Sequence, residues 1–300
     1  MYLPEKWATD PKRREAAKIP AEVEFQEKWR IALSLLDQAL GWGLSARPVV
    51  GDAGFGDVSE LRAQLESRNL KYVLGVSGTA VAWPPGVMPL APEPRRAGTP
   101  GRPRTKWRDG DARVVPLSQL ASELPRTAWR KITWREGSRG PQSSRFAAIR
   151  IRTAHRHAMG DPPSDPLWLL CEWPRRQSQP SKLYLSNLPA SAPLKHLVYL
   201  AKLRWRIERD YQEMKSELGL DHFEGRGWLG FHHHVACVAL AHAFLTLQRA
   251  LFPPVPREAH FPGISESSST RATEVPRLLP SVLPNLRAKR PTKALTHVIE

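Results

Sequence analysis

Apolar residues return every third or fourth position through residues 194–218, which is the spacing of an amphipathic helix. The positions are Leu197, Leu200, Leu203, Ile207, Tyr211 and Met214. Because no Gly or Pro interrupts this segment, the pattern predicts a single helix. Similar apolar stripes predict one helix at 28–39 and another from about 228 to 251.

The chain between residues 47 and 76 has the pattern of a strand, a helix and a second strand. Residues 47–56 read RPVVGDAGFG, a short apolar strand that ends in Asp52 and a Gly-rich turn. A helical stripe at 58–67 and the apolar run KYVLGV at 71–76 follow, so we expect two parallel strands. Open α/β sheets bind ligands at the carboxyl ends of such strands, which makes Asp52 a candidate site residue. The alternative is an aspartate that starts a turn.

The rest of the chain is divided by composition. Strand-like runs at 129–134, 145–153, 167–173 and 183–186 predict a half-exposed antiparallel sheet. The segment 83–111 is rich in Pro, Gly and Arg and predicts a flexible basic loop. The predicted divisions are an extended lead-in (1–26), a partial α/β core (27–82), the basic loop and a β-rich segment (83–190), the C-terminal core helices (191–252) and a Pro/Ser/Arg-rich tail without a stable core (253–300).

Charge indicates the class of partner. The chain has 45 Lys and Arg against 29 Asp and Glu, a net charge of +16, which favours a polyanionic partner such as DNA or RNA. Many of the 11 Trp stand beside cations and could stack on unpaired bases; the alternative is that they belong to the core or to strands.

Cysteine usage and the apolar runs indicate the compartment. Cys171 and Cys237 are predicted to be buried free thiols in a reducing cytosol. The apolar run at 235–245 is too short to span a bilayer, and no secretory signal is apparent. We therefore expect a soluble cytoplasmic, nucleoid-associated protein without a membrane partner.

Three charged residues on the predicted 194–218 helix form a candidate site. Arg204, Glu208 and Lys215 stand at i, i+4 and i+11, which places them along one stripe of the helix. A carboxylate between two cations suits a site that holds a metal ion and grips phosphate. The alternative is a solvated helix face with an ordinary Arg–Glu pair.

Residues 204–226, RWRIERDYQEMKSELGLDHFEGR, resemble the catalytic-glutamate helix of DDE-type insertion-sequence transposases, in particular the insertion sequence 701 group. That group reads Y-x2-R-x3-E-x6-K, and here Ala201 stands at the tyrosine position. The segment VVGDAGFGD around Asp52 is similar to the motif of the second catalytic aspartate. Glu208 corresponds to the catalytic glutamate.

The resemblance implies an α/β, RNase H-like fold with a β-rich insertion between the second aspartate and the glutamate helix. It implies that Asp52 and Glu208 are catalytic and bind two Mg²⁺ or Mn²⁺ ions, and that Arg204 and Lys215 bind DNA phosphates. The activity would be metal-dependent cleavage and strand transfer of DNA at transposon ends. The implied partners are transposon-end and target DNA, with a homodimer as the working form.

A two-metal site of this type needs a third carboxylate, which the sequence does not supply in the expected place. No strand precedes residue 48, and Asp10 lies in a polar segment broken by Pro11. We therefore expect an N-terminally truncated transposase that lacks the first aspartate and the first three strands and is inactive alone. The alternatives are a non-catalytic basic DNA-binding remnant or regulator of transposition, and a structure-selective nuclease of the same fold.

A run of three histidines at 232–234 does not predict a zinc site. Adjacent helical residues point about 100° apart and do not converge on one ion. His234 and His242 are better spaced, but the sequence offers no evident third ligand.

Overall fold

The computed structural model describes residues 2–89, 100, 114–137, 140–154 and 165–252, and the chain up to Leu251 forms one compact unit. Most of the predicted basic loop and the whole predicted tail at 253–300 lie outside these described residues. The helices are α1 (Glu5–Ala8), α2 (Pro11–Ala17), α3 (Lys28–Gly41), α4 (Ala53–Gly56), α5 (Ser59–Ser67), α6 (Leu117–Ser122), α7 (Leu194–Lys202), α8 (Trp205–Ser216) and α9 (Trp228–Leu251), with a 3-10 turn at Arg126–Ala128.

The strands of the described residues join in one mixed sheet. They are β1 (Val49–Gly51), β2 (Tyr72–Val76), β3 (Val81–Trp83), β4 (Val115–Pro116), β5 (Arg130–Gly137), β6 (Gly140–Thr153), β7 (Leu167–Trp173) and β8 (Lys182–Ser186). Their order is β1-β2-β8-β7-β6-β3-β4, and β5 pairs with β6. This mixed α/β architecture is compatible with an RNase H-like fold, whereas the β-rich insertion and the missing first strands stay predictions.

The predicted strand–helix–strand unit is confirmed. β1 pairs with β2 in parallel, with Val50 opposite Val73, and α4 and α5 make the connection between them. β8 lies antiparallel on the other side of β2, so β1 forms the edge of the described sheet. Asp52, directly after β1, therefore lies at this edge.

The predicted antiparallel pairing is confirmed for β5 to β8. The predicted half-exposure is wrong, because helices cover both faces of this sheet. In β7, the neighbouring residues Leu169 and Leu170 point to opposite faces, and both are fully buried. Leu169 packs with Leu120 of α6, whereas Leu170 packs with Leu197 of α7. Near the β1 edge, α3 and α5 pack on Tyr72 and Leu74 of β2. These two side chains lie on the face of the sheet opposite to α7.

The segment expected to be one helix is divided into α7 and α8. At the break, Leu203 N–H donates to the Leu200 carbonyl over 3.0 Å, and Arg206 N–H donates to the Leu203 carbonyl over 3.0 Å. These i→i+3 bonds tighten the turn and change the course of the chain. α7 buries four residues against the sheet, whereas no residue of the fully described α8 is buried.

α9 changes the expectations about this segment. The helix is long and apolar enough to cross a membrane by length and composition alone; an 18-residue window within it has a mean hydropathy of 1.3 and is 6% buried. The run at 235–245 is short, but the helix that contains it is not. Cys237, expected to be buried, is exposed on this helix, whereas Cys171 is buried as predicted.

Candidate functional site

The backbone directly after β1 fixes the position of Asp52. Asp52 is the N-cap of α4, and the Gly54 N–H donates to its Oδ1 over 3.0 Å. A Cβ built on Gly56 would lie 1.9 Å from the carbonyl oxygen of Gly75, so glycine is required where α4 passes β2. The turn-forming role expected as an alternative is thus present, and it leaves Oδ2 available for other contacts.

Arg204 joins the two candidate catalytic carboxylates. Its Nη2 donates to Oε1 of Glu208 over 2.6 Å, and its Nη1 lies 3.6 Å from Oδ2 of Asp52. Arg204 is the N-cap of α8, at the break between the two helices, and Glu208 lies one turn further on. The ordinary i,i+4 pair between Arg204 and Glu208 therefore exists. The Arg204 guanidinium also contacts Asp52, which lies 152 residues earlier in the chain.

Lys215 is not brought to this group. It lies in the last turn of α8 and is exposed. Seven residues of helix separate it from Glu208, which is about 10 Å along the axis. Among the four residues singled out in the sequence, Asp52, Arg204 and Glu208 therefore form one site, and Lys215 extends the same stripe away from it.

An apolar cavity of about 560 Å³ opens beside this site. It is bounded by α3, by the edge strand β1 and by α8, and Asp52 and Arg204 lie in its lining. Leu35, Ile207 and Tyr211 are exposed large apolar side chains in its wall. The sequence predicted an apolar face on each of the helices α3 and α8. The pattern within one helix does not show that the two faces enclose a cavity.

A buried ion pair fixes the end of α7 just before the site. Lys202 Nζ donates to Oε2 of Glu172 over 2.5 Å, and both side chains are largely buried. Burial lowers the pKa of Lys202, although the bond to Glu172 opposes the shift. Burial also raises the pKa of the Tyr184 hydroxyl, and the charge of Glu172 adds to that effect. The sequence pattern did not single out this pair.

Two of the Trp residues expected beside cations stack on cations within the fold. The Arg135 guanidinium lies 4.0 Å from the ring centroid of Trp205, at the start of α8. Lys202 Nζ lies 4.5 Å from the ring centroid of Trp134. Such contacts stabilise the protein itself, which favours the structural interpretation for these two rings.

A family model matches the N-terminal part of the chain. The family model of the DDE superfamily endonucleases matches residues 1–141. The match includes Asp52 and ends before Glu208, and it supports a DDE-type domain with transposase-like nuclease function. No curated protein matches the chain.

Proposed function

We propose that this chain provides the catalytic core of a DDE-type transposase of the insertion sequence 701 group. The reaction of the complete active site is metal-dependent DNA strand cleavage and strand transfer at transposon ends. The observation that carries the proposal is the meeting of Asp52 and Glu208 on one guanidinium. In the chain these carboxylates lie on separate motifs, and in the fold both contact Arg204. Asp52 directly follows β1, at the carboxyl end of the strand where α/β sheets bind ligands.

The proposed cofactor is Mg²⁺ or Mn²⁺. Asp52 and Glu208 offer carboxylate oxygens, which hard divalent cations prefer, and both side chains are more than half exposed and open to an ion. A bound ion of this kind activates a water or a 3′-hydroxyl and stabilises the leaving oxygen. Asp52 and Glu208 would hold the ion, and the residues around them position these two carboxylates.

Arg204 could exchange its contacts with Asp52 and Glu208 for a contact with a DNA phosphate during the reaction. The single positive charge of Arg204 lies between the negative charges of Asp52 and Glu208. If Asp52 and Glu208 held an ion, the Arg204 guanidinium would be free to bind a DNA phosphate in a bidentate manner. Lys215 would then contact the next stretch of DNA backbone along α8.

The third carboxylate of a two-metal site is not found beside these two in the part of the chain that the structure describes. The one cluster of three or more close metal-binding groups among those residues lies elsewhere. We therefore predict that the chain alone does not cleave DNA in Mg²⁺. Reproducible nicking of supercoiled plasmid by the purified chain in Mg²⁺, lost in Asp52→Ala, would contradict this prediction.

Metal binding is tested by iron-directed protein cleavage. Fe²⁺ with ascorbate and peroxide replaces Mg²⁺ and cuts the polypeptide next to the bound ion. We expect a cut near residue 52 that weakens in Asp52→Asn and Glu208→Gln and persists in Glu217→Gln, a matched change at the exposed end of the same helix. A cut near residue 52 that survives both site variants would contradict the metal assignment.

DNA binding is tested with duplexes from the regions that flank the gene. The net charge of +16 favours binding at low salt that weakens steeply as salt releases the condensed counterions. We expect Arg204→Ala and Lys215→Ala each to weaken binding. The alternative, a non-catalytic DNA-binding regulator of transposition, is favoured if DNA binding is retained and iron-directed cleavage near residue 52 is absent.

We further propose a homodimer in the cytoplasm, associated with the nucleoid. Leu240, Phe244, Leu247 and Leu251 are exposed on α9 at spacings of four, three and four residues. That spacing is typical of a helix–helix seam, and Val238 is the one buried residue among those described in this helix. Sedimentation of the wild type and of Leu240→Glu tests the dimer, which should dissociate in the variant.

A further inference from the structure

A second group of metal-binding side chains lies on the far side of α8 from Glu208. Asp210 and Glu213 of α8 meet His242 of α9, and their ligand atoms all lie within 4.8 Å of one another. His242 Nε2 is 3.4 Å from Oε2 of Glu213 and 4.0 Å from Oδ1 of Asp210. We propose that these three side chains bind a divalent transition-metal ion of the Zn²⁺ type.

The ring nitrogen of His242 provides the first argument. Nε2 is buried and makes no hydrogen bond of standard geometry; its nearest charged neighbours are the carboxylate oxygens of Glu213, at 3.4 Å, and Asp210, at 4.0 Å. Buried polar atoms are normally paired, so an unpaired imidazole nitrogen that faces two carboxylates is a position for a ligand. A metal ion satisfies the nitrogen lone pair and both negative charges together.

The distances provide the second argument. Nitrogen and oxygen ligands at about 2.1 Å from a tetrahedral zinc ion are separated from each other by about 3.4 Å. The distance between His242 and Glu213 already has this value. The distance between His242 and Asp210 is longer, and a small movement of the half-exposed Asp210 side chain would close the difference. Imidazole favours zinc and similar transition metals over Mg²⁺, so this site differs in preference from the carboxylate pair at Asp52.

The surroundings of Glu213 provide the third argument. Arg249 Nη1 donates to Oε1 of Glu213 over 2.6 Å and leaves Oε2 directed toward His242. Ligand carboxylates in metal sites are commonly oriented by such outer hydrogen bonds. The ion would join α8 to α9 and fix the helix that carries Glu208.

The test is titration of the full-length protein with Zn²⁺ and with Co²⁺. A Cys237→Ser background is needed because Cys237 Sγ lies 3.8 Å from Nε2 of His233, and this exposed pair could take zinc itself. We expect one site whose affinity falls at least tenfold in His242→Gln, and a Co²⁺ spectrum without a thiolate charge-transfer band. Asp210→Asn, a half-exposed position that the fold tolerates, should also weaken binding.

Two controls separate this site from the catalytic one and from surface histidines. His222→Gln changes a side chain that is 76% exposed and should leave zinc affinity unchanged. The double variant Asp52→Asn, Glu208→Gln should keep the zinc site even where iron-directed cleavage near residue 52 is lost. Zinc affinity that is unchanged in both His242→Gln and Asp210→Asn would overturn the proposal.

Discussion

Gly56→Ala should destabilise the protein at the point where the backbone holds Asp52. The new Cβ would stand 1.9 Å from the Gly75 carbonyl oxygen and 2.9 Å from the Gly75 carbonyl carbon. Ordinary contact distances are about 3.5 Å, so α4 or β2 must move by more than 1 Å. Overpacking typically costs about 1–3 kcal/mol, and because backbone stands on both sides we expect about 3 kcal/mol here. For a unit of this size that lowers Tm by roughly 6–12 °C.

The matched control is Gly41→Ala. Gly41 is the last residue of α3, and a Cβ built there meets no atom within 4 Å. The same substitution should therefore be neutral or stabilising by up to about 1 kcal/mol, because alanine loses less conformational freedom on folding. Urea and thermal unfolding of both variants measure the difference. If Gly56→Ala unfolds within about 0.5 kcal/mol of the wild type, α4 does not pack on β2 as described, and the placement of Asp52 fails with it.

Three further predictions concern packing, pH and thiol chemistry. Leu197→Ala, at a fully buried position, should cost about 2–5 kcal/mol in urea unfolding, whereas Leu44→Ala, 54% exposed, should cost under about 0.5 kcal/mol; equal costs would refute the packing of α7 on the sheet. The Arg249 bond lowers the pKa of Glu213 below its ordinary 4.5, so its contribution to stability is present above that pH and is lost as pH falls through the lowered value. Unfolding midpoints between pH 6 and 3 should therefore change less in Glu213→Gln, and an unchanged pH profile would refute the pairing. Burial raises the pKa of the Cys171 thiol to about 12, so iodoacetamide at pH 8 should label only Cys237, which is exposed. Modification of Cys171 in the folded protein would contradict its burial.

The sequence predicts the local parts of the site well. The parallel strand pair and the turn at Asp52 follow from short-range pattern and turn chemistry, and both are found. The break before α8 did not follow, because the three-and-four spacing of apolar residues continues through Leu203 and Ile207 without a Gly or Pro. Tertiary packing accounts for it, because α7 packs on the sheet through Leu197, whereas α8 has no buried residue.

Contacts between distant elements were the least accessible to pattern reasoning. The meeting of Asp52 with Arg204 could be expected through a family resemblance, since periodicity gives the face of a helix but not its neighbour. His242 illustrates the same limit. Spacing along α9 offered no third ligand for His242, because the two carboxylates that face it belong to α8. Nothing in either helix alone specifies how the two helices lie against each other.

The two candidate metal sites use opposite faces of one helix, and this arrangement connects them. At 100° per residue, Arg204 lies about 40° around α8 from Glu208, whereas Asp210 and Glu213 lie about 160° and 140° away. α8 buries no residue of its own, so side-chain contacts on these two faces largely fix its rotation about its axis. An ion held by Asp210, Glu213 and His242 would oppose any rotation that carries Glu208 away from Asp52. Occupancy of the transition-metal site should therefore favour the assembled carboxylate pair, although none of its ligands touches that pair.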